Sequence, residues 1–214
     1  MKKLFIIDSL DIDRGNIVAY NHKAYEPVFL KQGDADGACG PYCVMMALII
    51  SGVVNYDEVT DLWNIKLSSR LGKLVKAMRE HDTLFAQGTS SKELSKLLDA
   101  SFGAVIENSI CQDSGKSVIA FAIEQLRINN PVIVGIKNGN LAHWLLAVGF
   151  EENDNAVAKL VFLDPSGKDI SSYWNAAIDV LNTQRGRYPY AWIDHNNNNN
   201  EFVQFDEALA IIKN

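Results

Sequence analysis

The chain has 214 residues, 48% of them apolar, and a formal net charge of −6 spread along its length. That length suits one domain with a sizeable core, and no basic stripe of the kind that nucleic acid requires is present. Three cysteines, Cys39, Cys43 and Cys111, are too few and the wrong parity for a disulfide scaffold, and they fit a reducing compartment.

The opening Met1-Lys2-Lys3 begins like a signal peptide, but the apolar run 4–7 is short and Asp8 ends it. No other stretch approaches membrane-spanning length. The expectation is a bacterial-style cytoplasmic protein with no membrane or nucleic-acid partner. Export by a route that reads no N-terminal signal stays open.

Runs 4–7 and 27–30 fit strands or extended arms. Residues 39–51 are dense in helix-compatible apolar side chains and stop at Gly52. Helical spacing recurs at 57–63 and 71–79, and Lys66, Arg70, Lys73 and Lys76 read as a solvated helix face. Ser90 or Ser91 caps a helix through Leu98, with Glu93 in the capping-box position. Residues 116–128 predict another, ended by Asn129-Asn130 before Pro131. Strands are then predicted at 131–137 (PVIVGIK), 142–150 (AHWLLAVGF), 159–164 (KLVFLD) and 188–193 (YPYAWI). Asn153-Asp154-Asn155 marks a hairpin between the second and third. The five asparagines 196–200 form surface loop, and 205–212 predicts a closing helix. Helices first and antiparallel sheet afterwards predict an α+β fold. The expected organisation is one domain, 1–214, with an arm (1–31), a core (32–167) and a C-terminal extension (168–214).

Cys39 stands at the head of an apolar helix, after Gly33 and Gly37 and before Gly40. A helix N-terminus favours the thiolate, and its N–H groups can hold an oxyanion. Gln32, seven residues upstream, could donate a second bond to the same oxyanion. A thiolate nucleophile needs a base. His143 lies near the start of an apolar strand, after the polar turn 137–140, where a ring can reach a cleft. Asp164 ends the next strand in Leu163-Asp164-Pro165-Ser166-Gly167. An antiparallel hairpin would set it beside His143, as an orienting carboxylate requires. Asp-Pro-Ser-Gly is also plain turn chemistry. His22 and His81 sit in polar contexts, and His195, beside the asparagine run, ranks a distant second as base. Cys43 lies one helical turn from Cys39 and reads as packing, and Cys111 as incidental. No metal-ligand set is evident, and no cofactor is expected.

The matched pieces are Gln32, Ala38-Cys39-Gly40 with Cys43, residues 88–98 (GTSSKELSKLL), residues 122–136, Ala142-His143-Trp144 leading to Val148-Gly149, and Leu163-Asp164-Pro165. In this order they resemble the papain-like cysteine peptidase superfamily. Within it, the nearest likeness is to the bacteriocin-leader peptidases, which cut after a double glycine. The resemblance covers about residues 32–167 and leaves Trp174, Arg185, Arg187 and Trp192 outside. It implies a papain-like α+β fold, in which an N-terminal helical part carrying the nucleophile helix packs on a C-terminal antiparallel sheet. It also implies Cys39 as nucleophile, His143 as base and Asp164 as its orienter. Gln32 and the Cys39 N–H would form the oxyanion hole. No phosphate loop accompanies them.

The expected function is therefore amide or peptide hydrolysis on a peptide or protein substrate. Glutamine deamidation or transglutaminase-type acyl transfer shares the chemistry up to the acyl-enzyme. A catalytically silent binding module is the alternative of another class, and a Cys39–Cys43 redox couple would be strained. Residues 67–89 are expected to cover part of the cleft.

Overall fold

The computed structural model describes residues 1–21, 24–33, 37–80, 89–167, 172–194 and 201–214. Among the described residues four strands precede the first helix: β1 (Lys2–Ile6), β2 (Leu10–Asp13), β3 (Asn16–Asn21) and β4 (Ala24–Pro27). The last three make a small antiparallel sheet. Between β2 and β3, Arg14 and Gly15 both take positive φ, 50° and 82°. That is the two-residue hairpin whose twist matches its strands.

Helices α1 (Cys39–Ile50), α2 (Tyr56–Thr60), α3 (Arg70–Glu80) and α4 (Ser91–Phe102) follow. The α4 capping box forms: the Glu93 N–H donates to the Ser90 hydroxyl at 3.3 Å, and the Ser90 N–H donates to the Glu93 carboxylate at 2.8 Å. Next come β5 (Ile106–Cys111) and α5 (Lys116–Arg127). The remainder is strand: β6 (Val132–Lys137), β7 (Ala142–Asn153), β8 (Ala156–Leu163), β9 (Ala176–Asp179), β10 (Tyr190–Asp194) and β11 (Glu201–Lys213).

Strands β6 to β11 close on themselves. Neighbours run β7-β6-β11-β10-β9-β8, every pair is antiparallel, and β8 pairs back with β7. The result is a closed six-stranded antiparallel barrel. Strand β1 adds beside the distal half of β7, and β5 beside the distal half of β11. This overturns the expected papain-like α+β fold, with its N-terminal helical part packed on a C-terminal sheet. Strands come from both ends of the chain, and closure removes edges that an open sheet would expose.

The predicted helix 205–212 is also corrected, since it lies within β11. A register shift between Phe205 and Ala208 interrupts the alternation. Beyond it, 208–211 are buried on both faces, beneath α4 and α5 and toward the barrel interior. A continuous apolar run of that kind does not distinguish strand from helix.

Helix α1 is apolar on every side, and eleven of its twelve residues are buried. Such a helix must be covered all round. It packs against β3 on one side and against β6, β7 and α4 on others. The cover determines where its first residue, Cys39, comes to lie. No helix among the described residues is long and apolar enough to cross a membrane.

The β1–β7 junction depends on a missing side chain. A Cβ at Gly149 would overlap the Phe5 carbonyl oxygen and reach Ile6 Cδ1 at 2.8 Å. Gly149→Ala is expected to open this pairing and to lower stability by about 1–3 kcal/mol. Urea denaturation checks it, and an unchanged midpoint contradicts the close approach.

Candidate active site

The site begins with a turn far from it. Asp154 and Asn155, at φ 48° and 69°, make a two-residue hairpin between β7 and β8, closed by Asn153 opposite Ala156. Two register shifts later the pairing reaches Leu146 opposite Leu163. The start of β7 and the residue after β8 therefore share one end of the barrel. The same end holds the start of β9, with Ala176 opposite both Phe162 and Asp194, and the start of β11, with Glu201 opposite Trp192.

At this mouth His143 Nε2 lies 2.8 Å from Asp164 Oδ1, and the two residues are 9% and 2% exposed. The Cys39 thiol sits near enough to the same imidazole for each to favour the other's charged form. With Nε2 engaged by Asp164, Nδ1 is the nitrogen left for sulfur. The three residues thus form one line, Cys39–His143–Asp164.

The electrostatics of this line are coupled. Burial opposes a charged Cys39, but the hydrogen bond and charge of His143, with backbone N–H groups of Trp144 and Gly40, hold the thiol below its ordinary value. Burial likewise opposes a charged His143. The bonds and charges of Asp164 and Cys39 outweigh it and push the imidazole up to about 9. Both shifts favour a thiolate–imidazolium pair, the form in which sulfur is nucleophilic. Cys43, one turn on, is fully buried, and its S–H donates to the Trp144 carbonyl at 3.5 Å. Burial, with the charges of Cys39 and Asp164, pushes that thiol well above its ordinary value. Cys111 stands apart on β5.

Gln32 reaches the turn after Asp164 rather than lying loose. Its N–H donates to the Pro165 carbonyl at 2.8 Å, and its Oε1 accepts from the Ser166 hydroxyl at 3.3 Å. The carboxamide thus meets Ser166 with its oxygen end, and its N–H2 end is the donor pole.

Two residues of the site were not singled out from the sequence. The Trp192 ring lies 5.9 Å from the His143 ring, tilted by 35°. Strand β10 does not neighbour β7 in the barrel, so this contact crosses the mouth. The Trp192 indole N–H is buried without a partner among the described residues. Asn175, 4% exposed, holds the Asp164 peptide from both sides. Trp192 carried a signal, an aromatic in a strand, but only closure brings it to His143. Asn175 carried none. The segment expected to cover the cleft touches the site at its last residue, where the Trp144 indole N–H donates to the Thr89 carbonyl at 2.9 Å. The rest of that segment at 81–88, together with His22, His81, His195 and the tract 196–200, lies outside the described residues. Among the described residues no group of three His, Cys, Asp or Glu side chains could hold a metal ion.

A lowered thiol pKa means thiolate at pH values where a free cysteine is protonated. Iodoacetamide is therefore expected to modify Cys39 well before Cys43 or Cys111 at neutral pH. In His143→Ala, burial remains and the cation is gone, so the Cys39 profile moves to higher pH. The neutral-pH rate then falls by about 10–100-fold. Mass spectrometry of the alkylated chain against pH reads both, and equal Cys39 rates in the two proteins contradict the pairing.

Comparison with protein-family models and with curated proteins gives no match.

Proposed function

We propose that the chain is a cysteine hydrolase that cleaves an amide or peptide bond through an acyl-enzyme on Cys39. The observation that carries this reading is the buried Cys39–His143–Asp164 line, with the thiol held down and the imidazole held up. Nucleophile, base and orienting acid in hydrogen-bond sequence are what thiol-based acyl transfer requires. The constellation recurs on unrelated folds, so a barrel is no obstacle to it.

In the first step the Cys39 thiolate bonds to the carbonyl carbon, and the carbonyl π electrons move onto oxygen. The N–H groups at the start of α1, with the Gln32 amide, are the donors proposed for that oxyanion. The tetrahedral intermediate collapses, the C–N bond breaks, and the imidazolium of His143 gives its proton to the leaving amine. Water then adds to the thioester while His143 takes a proton from it. Collapse of the second intermediate breaks the C–S bond and releases the acid, leaving the Cys39 thiolate beside the His143 imidazolium that already holds the proton. Asp164 holds the ring through both steps and its carboxylate keeps the imidazolium favourable.

The test uses p-nitrophenyl acetate as a small acyl donor, followed by a peptide library that includes double-glycine sequences, to which the motif order points. A burst of p-nitrophenolate with acetyl on Cys39 is expected, and Cys39→Ala abolishes it. Asp164→Asn is expected to slow acylation by about 10²–10⁴-fold, and Gln32→Ala by about 10–10²-fold. Release of ammonia alone from glutamine peptides, or transfer only to an added amine, would reassign the site to deamidation or transglutamination. A folded chain that takes no acyl group on Cys39 overturns the enzyme reading and favours a binding module.

A further inference from the structure

An orienting carboxylate is only as well placed as the backbone that carries it. Asp164 follows the last residue of β8, in a turn closed by the Gly167 N–H on the Asp164 carbonyl at 3.0 Å. The Ser166 N–H of that turn donates to Asp164 Oδ1 at 2.9 Å, the oxygen that also faces His143. Position of the turn and position of the carboxylate are thus one quantity.

The geometry points to Asn175 as the positioning residue of this site, its buried carboxamide clamping the Asp164 peptide and with it the whole turn that carries Asp164 and meets Gln32. This rests on the hydrolase reading above. The Asp164 N–H donates to Asn175 Oδ1 at 2.6 Å, and Asn175 Nδ2 donates to the Asp164 carbonyl at 2.9 Å. A carboxamide offers an acceptor and a donor edge, so it can pair with the N–H and C=O of one residue as a neighbouring strand would. The Asn175 N–H itself donates to the Phe162 carbonyl at 3.1 Å. The clamp is therefore seated where β9 begins, against the end of β8.

Glutamine 32 belongs to the same assembly. Its backbone bonds Pro165 and its side chain Ser166, both within the clamped turn. One side chain thus stands behind both the acid of the triad and the proposed oxyanion donor. Gly167 completes the fit, since a Cβ there would overlap Asn175 Nδ2.

Asn175 could also serve stability alone, because its loss leaves the buried Asp164 N–H without its acceptor and the Asp164 C=O with the Gly167 N–H alone. The pH profile separates the two roles. The wild-type Cys39 alkylation profile with iodoacetamide comes first; an ordinary profile there defeats the hydrolase reading and not the clamp in particular. Given an activated wild type, the same profile is taken for Asn175→Ala, with melting temperature and the p-nitrophenyl acetate burst. A positioning role moves the alkylation midpoint up by about 1 pH unit, because a loosened Asp164 no longer favours the imidazolium. It also lowers the burst rate by about ten-fold at neutral pH, an oxyanion-dependent step that alkylation does not share. A folded Asn175→Ala with a lower melting temperature and an unmoved midpoint overturns the proposal. Should that variant fail to fold, Gly167→Ala, which pushes the clamp from outside and keeps Asn175, decides by the same midpoint.

Discussion

Strand β7 is paired along both sides, and the rest of the molecule is arranged around that fact. On one side it meets β6 and then β1, and on the other it meets β8. From Leu146 onward the strand is flanked on both sides, and a one-residue slip would turn every buried side chain to the wrong face. Its register therefore fixes His143 at the barrel mouth. Helix α1 packs against the same strand, so the position of Cys39 relative to His143 follows from one helix–strand contact.

The line of three polar residues is a costly thing to bury, and its surroundings explain why it is tolerated. A buried charge without a partner costs far more than a hydrogen bond returns, whereas a paired and bonded one approaches balance. Here every charged form has a partner. Asp164 accepts from His143 and from the Ser166 N–H, and His143 reaches the thiol of Cys39. Low exposure strengthens these interactions by excluding water. The tilted Trp192 ring lies 5.9 Å from the imidazole on the far side of the mouth.

The legibility of the site and that of the fold differed for a physical reason. His143 and Asp164 were readable as neighbours because a hairpin turn, Asn153-Asp154-Asn155, imposes antiparallel register by local geometry alone. Cys39 was readable because a helix start and its glycines are local too. The fold class was not. A barrel and an open sheet use the same alternating strands, and only the pairing of β8 with β9 and of β11 with β6 distinguishes them. The bulge in β11 hid a strand inside a helix-like apolar run. The hairpin at Arg14-Gly15 joins two short runs of four and six residues, too brief for a periodicity to stand out.

Local chemistry alone determined the elements with strong end signals and the residue types suited to acyl transfer. The helix from Cys39, the capped helix from Ser90 and the β7–β8 hairpin follow from caps, turns and periodicity that act within a few residues. Tertiary structure alone decided that the strands close into a barrel, that Trp192 crosses the mouth to His143 and that Asn175 grips Asp164. It also decided the protonation that makes a thiolate favourable. Those properties depend on burial and on contacts between residues 11 to more than 100 positions apart, as with Asn175 on Asp164 and Cys43 on Trp144. Such contacts carry no local pattern, because the free energy that selects them comes from packing the whole core and not from any segment of it.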